Sequence, residues 1–238
     1  MASAYTKFAD ICAKFYSLTL NSSQVSQFVF QASKASAGEK TLFVGGMFDV
    51  AAGLVKSGLD ITVVDYSQEM VAVGRKALPR VPVKQADLAA LPFNNEFDLI
   101  VVIGRVFTHM ISDVQLSSAI AGCSKALRPN GRLLVDNYED SRIRKTSYFN
   151  GRIECDGKNC HIIRESKTTL VSAAPFIVRW DARYSGHYDQ RSFEFSDSME
   201  HRAFSRSEFS TCLERGGFQV IEQGDNFDET SFYTLAQA

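Results

Sequence analysis

Apolar positions along the chain recur with two different periods. In residues 4–17, Phe8, Ile11, Cys12, Phe15 and Tyr16 are spaced so that they share one face of a helix. Residues 22–36 predict a second helix with Ser22 or Ser23 as its N-cap. Short apolar runs then alternate with helical patterns. A strand over 41–45 leads into a helix over 49–57 that stops at Gly58. A strand over 61–65 leads into a helix over 67–77, capped by Ser67 and with Glu69 in its first turn. Pro82-Val-Lys-Gln85 is a short strand running toward Asp87. Phe97–Ile103 is apolar almost throughout, as expected of a parallel strand covered on both faces. A helix over 113–127 ends at the stop signal Arg128-Pro-Asn-Gly131, and a strand over 131–136 follows.

Near residue 145 the pattern changes. Between 147 and 199, short β-rich stretches at Ile153, Ile162-Ile163, Thr168–Val171, Phe176–Trp180 and Ser192–Phe195 predict three or four antiparallel strands. Turns are expected near Asp156-Gly157, Ala173–Pro175 and Ser185-Gly186. A helix over 206–215, ending at Gly216-Gly217, and strands over 218–222 and 231–236 close the chain. The pattern predicts an α/β fold: a Rossmann-like sheet of seven strands with N-terminal helices, over 1–146 and 200–238, and an antiparallel β insertion over 147–199.

Composition narrows the function classes. At 45% hydrophobic the 238 residues can bury a full core. A net charge of -1, with Lys and Arg scattered, gives no bulk electrostatic case for nucleic acid or an anionic membrane. No apolar stretch is long enough for a transmembrane helix, and Met1-Ala-Ser-Ala-Tyr lacks the features of a secretory signal. An odd count of five cysteines suggests free thiols and a cytoplasmic location. Cys155 and Cys160 read as two thiols beside a turn, with a hairpin disulfide or half a metal site as alternatives. No metal site is expected.

The chemistry-bearing pattern begins at Gly45-Gly46, after the first apolar run of the alternation. Twenty residues past Gly45, Asp65 closes the run Ile61-Thr-Val-Val-Asp65. Glycines at the first turn let the backbone approach an adenosine-containing ligand, and an acid at the next strand tip accepts hydrogen bonds from ribose hydroxyls. His109 falls just past the fourth strand, at the edge where open α/β sheets bind ligands, and a neutral imidazole there can orient or deprotonate an acceptor. Arg105, on the same edge, suits a bidentate grip on an anion. Asn137 and Tyr138 follow the fifth strand. Trp180, Arg183, Tyr184 and His187 fall in the insertion as candidate pocket residues, while His161 and His201 read as structural.

Segments of the chain, in the family's order and at its intervals, resemble the class I S-adenosylmethionine-dependent methyltransferases. Val64-Asp65-Tyr-Ser-Gln-Glu-Met70 is similar to the family's ribose-gripping motif, and Asp87-Leu88 to its acid–apolar pair beside the adenine. Phe97-Asp98 opens the fourth strand as in the family. Leu127-Arg-Pro-Asn-Gly-Arg-Leu-Leu-Val135 resembles Leu-x-Pro-Gly-Gly-x-Leu. More narrowly, Ile103-Gly-Arg-Val-Phe-Thr-His-Met110 resembles Leu-Gly-Asn-Ser-x-x-His-Leu of glycine N-methyltransferases, with Arg105 in place of Asn. In that group and in sugar N-methyltransferases the β insertion lids the substrate pocket. The glycine-rich motif departs from the family: Met47 and Asp49 stand where further glycines are usual, and Phe43 replaces the strand-end acid.

The resemblance implies S-adenosylmethionine (SAM) as cofactor, held by Tyr16, Gly45, Gly46, Asp65, Tyr66, Asp87, Leu88 and Gly104. It places His109, Arg105 and Tyr138 on the acceptor side. The expected reaction is methyl transfer to nitrogen or oxygen of a small polar, anionic molecule; homo-oligomerisation stays open. The altered glycine motif supports one alternative, a methyltransferase-fold protein that no longer methylates.

Overall fold

In this computed structural model residues 4–144 and 150–238 are described. The strands, in chain order, are β1 (Lys40–Val44), β2 (Asp60–Asp65), β3 (Val83–Gln85), β4 (Phe97–Val102), β5 (Leu127–Tyr138), β6 (Gly151–Gly157), β7 (Cys160–Ala173), β8 (Phe176–Tyr188), β9 (Arg191–Arg202), β10 (Gln219–Asp225) and β11 (Ser231–Gln237). The helices are α1 (Ala4–Lys7), α2 (Ala9–Thr19), α3 (Ser22–Ala32), α4 (Phe48–Lys56), α5 (Gln68–Ala77), α6 (Asp113–Ala126), α7 (Asp140–Ile143) and α8 (Arg206–Arg215).

Seven strands form one sheet in the order β10-β11-β5-β4-β1-β2-β3. β1 to β5 run parallel, and β11 joins β5 and β10 antiparallel. The strand order reverses at β1, which pairs with β2 on one side and β4 on the other. The crevice beyond the carboxyl ends of those strands is where such sheets bind ligands. Both faces are covered, which explains the apolar run Leu99–Val102 of β4. Leu42, Ile100 and Val102 pack toward α6 and α8, while Phe43, Leu99 and Val101 pack toward α3 and α4.

The remaining strands form a four-stranded antiparallel meander, β6-β7-β8-β9. The start expected for the insertion, residue 147, lies outside the described residues, as do Met1–Ser3. The inner face of this sheet does not rest on the seven-stranded sheet alone. Ile162, Trp180, Ala182, Tyr184 and Phe195 pack on Ile11, Cys12 and Phe15 of α2. Phe8 stacks on Phe195 with ring centroids 4.0 Å apart. Each such aromatic removed from water contributes roughly 1.5–3 kcal/mol, so the N-terminal helices form a layer that ties the two sheets together.

Several local expectations differ from the structure. The first helix is split at Phe8, whose non-helical backbone frees its ring to stack on Phe195. Asn21, not Ser22 or Ser23, caps α3 by accepting from the Gln24 amide. The segment Arg128–Gly131 does end α6, but β5 already begins at Leu127 and carries Asn130 at positive φ across a register shift against β4. Ser185-Gly186 is not a turn: β8 runs on to Tyr188. A Cβ at Gly186 would lie 2.0 Å from the His161 carbonyl oxygen, so this glycine serves close strand approach. All five cysteines are free thiols.

Candidate active site

The turn after β1 is shaped by what crowds it. Gly45 has φ 112°, and a Cβ there would press on Val106. A Cβ on Gly46 would lie 2.2 Å from the Met70 methyl and 3.5 Å from an Asp65 carboxylate oxygen. The two glycines keep the backbone flat against the ends of β2 and β4, the cradle an adenosine-bearing ligand needs. Gly104, after β4, has φ 99°, and the Met47 sulfur would lie 3.0 Å from a Cβ there. The Met47 side chain therefore lies across the gap between β1 and β4. Phe43, in place of an acid, is fully buried in the core. Asp49 is exposed in the first turn of α4.

At the end of β2, Asp65 Oδ1 accepts from the Ser67 amide at 2.8 Å. Its other oxygen has no hydrogen-bond partner among the described residues. Burial pushes the Asp65 pKa up to about 6, against the lowering effect of the Ser67 amide. Ser67 caps α5 through the Met70 amide and donates to the Tyr5 carbonyl, while the Tyr5 and Tyr16 hydroxyls meet at 2.9 Å. The aromatic cover is thus fastened to the helix that follows Asp65. Tyr66 is exposed, and so is Asp87, which caps a short 3-10 turn over Leu88–Ala90 by accepting from the Ala89 amide. The Leu88 side chain is buried beneath it. These residues can hold an adenosine: one free carboxylate oxygen faces the crevice, and a second acid stands at its rim.

Beyond β4, Arg105 adopts a left-handed backbone conformation and opens a 3-10 turn over Val106–His109. Phe107 inserts into the core against Phe209, which fixes that turn. His109 opens onto the cleft. Desolvation by the neighbouring groups lowers its pKa, so the imidazole is neutral at pH 7, while the residue keeps an exposed edge. Its ring lies 4.9 Å from that of His201 on β9, centroid to centroid. Thr108 Oγ1 donates to the Arg105 carbonyl at 2.7 Å and lies 3.2 Å from His201 Nδ1. With the Thr108 proton so used, His201 donates from Nδ1, and Nε2 carries the lone pair. Burial, His109 and Arg105 together hold the His201 pKa well below the usual value.

The Arg105 guanidinium is not free. It pairs with Asp228 and donates to Ser231 Oγ, and it lies over the rings of Tyr138 and Phe227. Its backbone amide donates to Asp136, which also accepts from Asn226. Burial opposes the arginine's charge, but Tyr138, Asp228 and Asp136 outweigh it. Burial alone would raise Asp228; Arg105 and Thr230 hold it below the usual carboxylate range. Tyr138 is buried beside Arg105 and faces His201 edge-on.

The structure therefore brings together Arg105, His109 and Tyr138 with Gly104, at one end of a crevice that has Gly45, Gly46 and Asp65 at the other. In the insertion, Trp180 and Tyr184 face inward; Arg183 pairs with Glu194 on the exposed face, and His187 stacks on His161. Sequence reasoning missed His201. Its signal was strand parity, since His201 shares the inner face of β9 with Phe195, but the strand was expected to stop at 195. Asn137 is fully buried, and its amide has no hydrogen-bond partner among the described residues. A groove of about 620 Å³ lies elsewhere, between Lys7, Glu165, Lys167, Asp181 and Arg183 on the antiparallel sheet. Its mixed surface charges do not match the chemistry at the strand ends, so the strand ends define the site.

Residues 45–131 match a protein-family model described as a methyltransferase domain. No curated protein matches the chain. Solved structures match over nearly its whole length. DesVI of Streptomyces venezuelae is 15% identical, with 96% of this chain and 98% of that one covered and a TM-score of 0.83. A S-adenosylmethionine-dependent methyltransferase from Clostridium acetobutylicum is 17% identical, with 98% of each chain covered and a TM-score of 0.76. A SAM-bound amino pentose methyltransferase from Micromonospora echinaspora is 17% identical, covering 91% and 89%, with a TM-score of 0.72. At these identities the likeness is one of fold.

Proposed function

We propose that this chain, a class I SAM-dependent methyltransferase by fold, transfers a methyl group to the amine nitrogen of a small polar molecule of the amino-sugar kind. The observation that carries the reading is the placement of the His109–His201 pair at the end of β4, across the crevice from the Gly45–Asp65 cradle. The amino pentose specificity of the Micromonospora protein supports the acceptor class.

SAM supplies an activated methyl on a sulfonium. Asp65 and Asp87 hold its adenosine end, Tyr16 covers it, and Gly45, Gly46 and Gly104 give it room. On the acceptor side, two neutral imidazoles are poor reservoirs for a proton but good acceptors of an N–H hydrogen bond. They orient a neutral amine so that its lone pair points at the methyl group, and alignment carries most of the rate. The amine's own proton leaves to solvent before transfer. Arg105 is closed by Asp228, so it acts as a positioning residue for the turn that carries His109. With Asp136 beside them, the local charge favours a basic acceptor over an anion at this point of the cleft.

The test is turnover with SAM and a panel of amino sugars, read as release of S-adenosylhomocysteine. His109→Ala and His201→Gln should each lower kcat by about 100-fold to 1000-fold, the lower part of the range for loss of a positioned proton-handling group. The plot of kcat/KM against pH should rise with the pKa of the acceptor amine. A limb near 6.5 that moves on His109 substitution would contradict the orienting role. A second reading, a pocket that binds the cofactor but no longer methylates, rests on Met47 lying over Gly104; binding of S-adenosylhomocysteine with no turnover of any amine would favour it.

A further inference from the structure

Each arginine that is not exposed has a carboxylate partner, with one exception. Arg105, Arg128, Arg132, Arg142, Arg202 and Arg206 all form ion pairs. Arg164, half-buried on β7, has no carboxylate within ion-pair distance among the described residues. Its guanidinium lies 4.9 Å over the Phe15 ring and 5.5 Å over the Trp180 ring. Tyr184, its cross-strand partner, is the polar neighbour. Arg164 Nε is buried and has no hydrogen-bond partner among the described residues. On the same face, two side-chain positions along β7, Thr168 Oγ1 is also buried with no partner among the described residues; Asp197, one position along and opposite Ala182, has its pKa raised by burial, which disfavours its charged form.

A desolvated guanidinium with an unused donor is costly unless an acceptor arrives. Phe15 and Trp180 lie over the guanidinium and Tyr184 takes one hydrogen bond from it, so the donors of the fork that stay unpaired are the groups that would hold an anion. Trp180 links this place to the proposed reaction centre, since its ring lies 6.3 Å from His201. Arg105, the other cation of the cleft, is already paired.

We infer that the Arg164 guanidinium is the anchoring site for a carboxylate or phosphate group on the methyl acceptor, held on the inner face of the antiparallel sheet while the amine lies at His109 and His201. The inference rests on the methyl-transfer reading for the identity of the ligand, but not for the existence of the anion site. Recognition is then split: the acceptor's basic end lies at the strand edges and its acidic end under the antiparallel sheet.

Trp180 is the sole tryptophan, so its emission reports directly on Arg164. The probes are glucosamine 6-phosphate and glucosaminic acid, with glucosamine as the control that lacks an anion. The anionic probes should shift Trp180 emission in the wild type at concentrations about tenfold or more below that needed for glucosamine, the scale of one charge-assisted hydrogen bond. Whichever of the two responds more strongly tells phosphate from carboxylate. Arg164→Gln should abolish that preference, and Arg164→Lys should retain part of it, because it keeps the charge and loses the fork. Calorimetric affinity for S-adenosylhomocysteine should be the same in all three proteins. An unchanged preference in Arg164→Gln, no preference in the wild type, or no response to any probe at millimolar concentration overturns the proposal. If S-adenosylhomocysteine does not bind while the Arg164-dependent preference persists, the anion site stands and the methyl-transfer reading falls.

Discussion

At the end of β2, Asp65 keeps one carboxylate oxygen free, its neighbour Ser67 fixes the aromatic cover, and Asp87 stands open at the rim. A few ångströms away, at the ends of β1 and β4, the same crevice is lined differently. Phe43 is core, Met47 lies over Gly104, and Arg105 is closed by Asp228. The side proposed for adenosine is a polar surface with a carboxylate oxygen left for donors. The side proposed for the methionine end is apolar and internally paired. Affinity for the cofactor should therefore be concentrated at its adenosine end, while the methionine side chiefly shapes the path along which the methyl group faces the acceptor.

The largest expected effect comes from unbalancing the paired side. Asp228→Ala leaves the Arg105 guanidinium without its partner in a site where both side chains are mostly shielded. Loss of stability should be about 3–5 kcal/mol by urea denaturation, and Arg105→Met in the same background should recover much of it. The folded pKa of Asp228 lies below its unfolded value. Its contribution is thus fully present above the unfolded pKa and is lost as pH falls through the lower folded one, in the acid range below about 4.

Next is the open side. Asp65→Ala should weaken S-adenosylhomocysteine binding by roughly 1–3 kcal/mol with little change in stability. The Asp65 pKa is raised to about 6, so the sign for stability is opposite to that of Asp228: its contribution favours the folded apo protein at low pH and is lost as pH rises through about 6. Hydroxyl donors favour the ionised form, so cofactor affinity should climb as pH rises through the same value, and Asp65→Asn should flatten that climb in calorimetric titrations.

Met47 separates an eroded methionine side from an adapted one. If its thioether obstructs the cofactor, Met47→Gly improves affinity by about 1–3 kcal/mol through relief of overpacking. Our account expects the opposite sign, because Met47 packs on Gly104 and the loop loosens without it. Unchanged affinity would show that Met47 does not face the cofactor. Asp87→Asn should have the smallest effect, under about 1.5 kcal/mol, since the group is exposed and gives at most one ordinary hydrogen bond.

Much of this was legible in the chain. The alternation of Leu42–Val44, Val63-Val64 and Leu99–Val102 with capped helices reads directly as a parallel sheet, because burial on both faces leaves no polar positions to confuse the period. Asp65 and Gly45 stand out as candidates because a strand end followed by a turn or a cap is a local signal. What could not be read depends on contacts distant in sequence. Asp228 is more than a hundred residues from Arg105, so the arginine looked free for an acceptor anion. His201 reaches His109 only because β9 folds the antiparallel sheet back over the strand ends. Arg164 lies in a strand whose inner face is decided by α2, and no local spacing shows that.

The central claim is that the adenosine side of the crevice holds the cofactor. Isothermal titration of the wild-type protein and of Asp65→Ala with S-adenosylhomocysteine and with adenosine tests it most directly. Both ligands should bind the wild type, adenosine should retain most of the binding free energy, and both should lose affinity to a similar extent in Asp65→Ala. Absence of heat with either ligand, or an affinity that Asp65→Ala leaves unchanged, would contradict it.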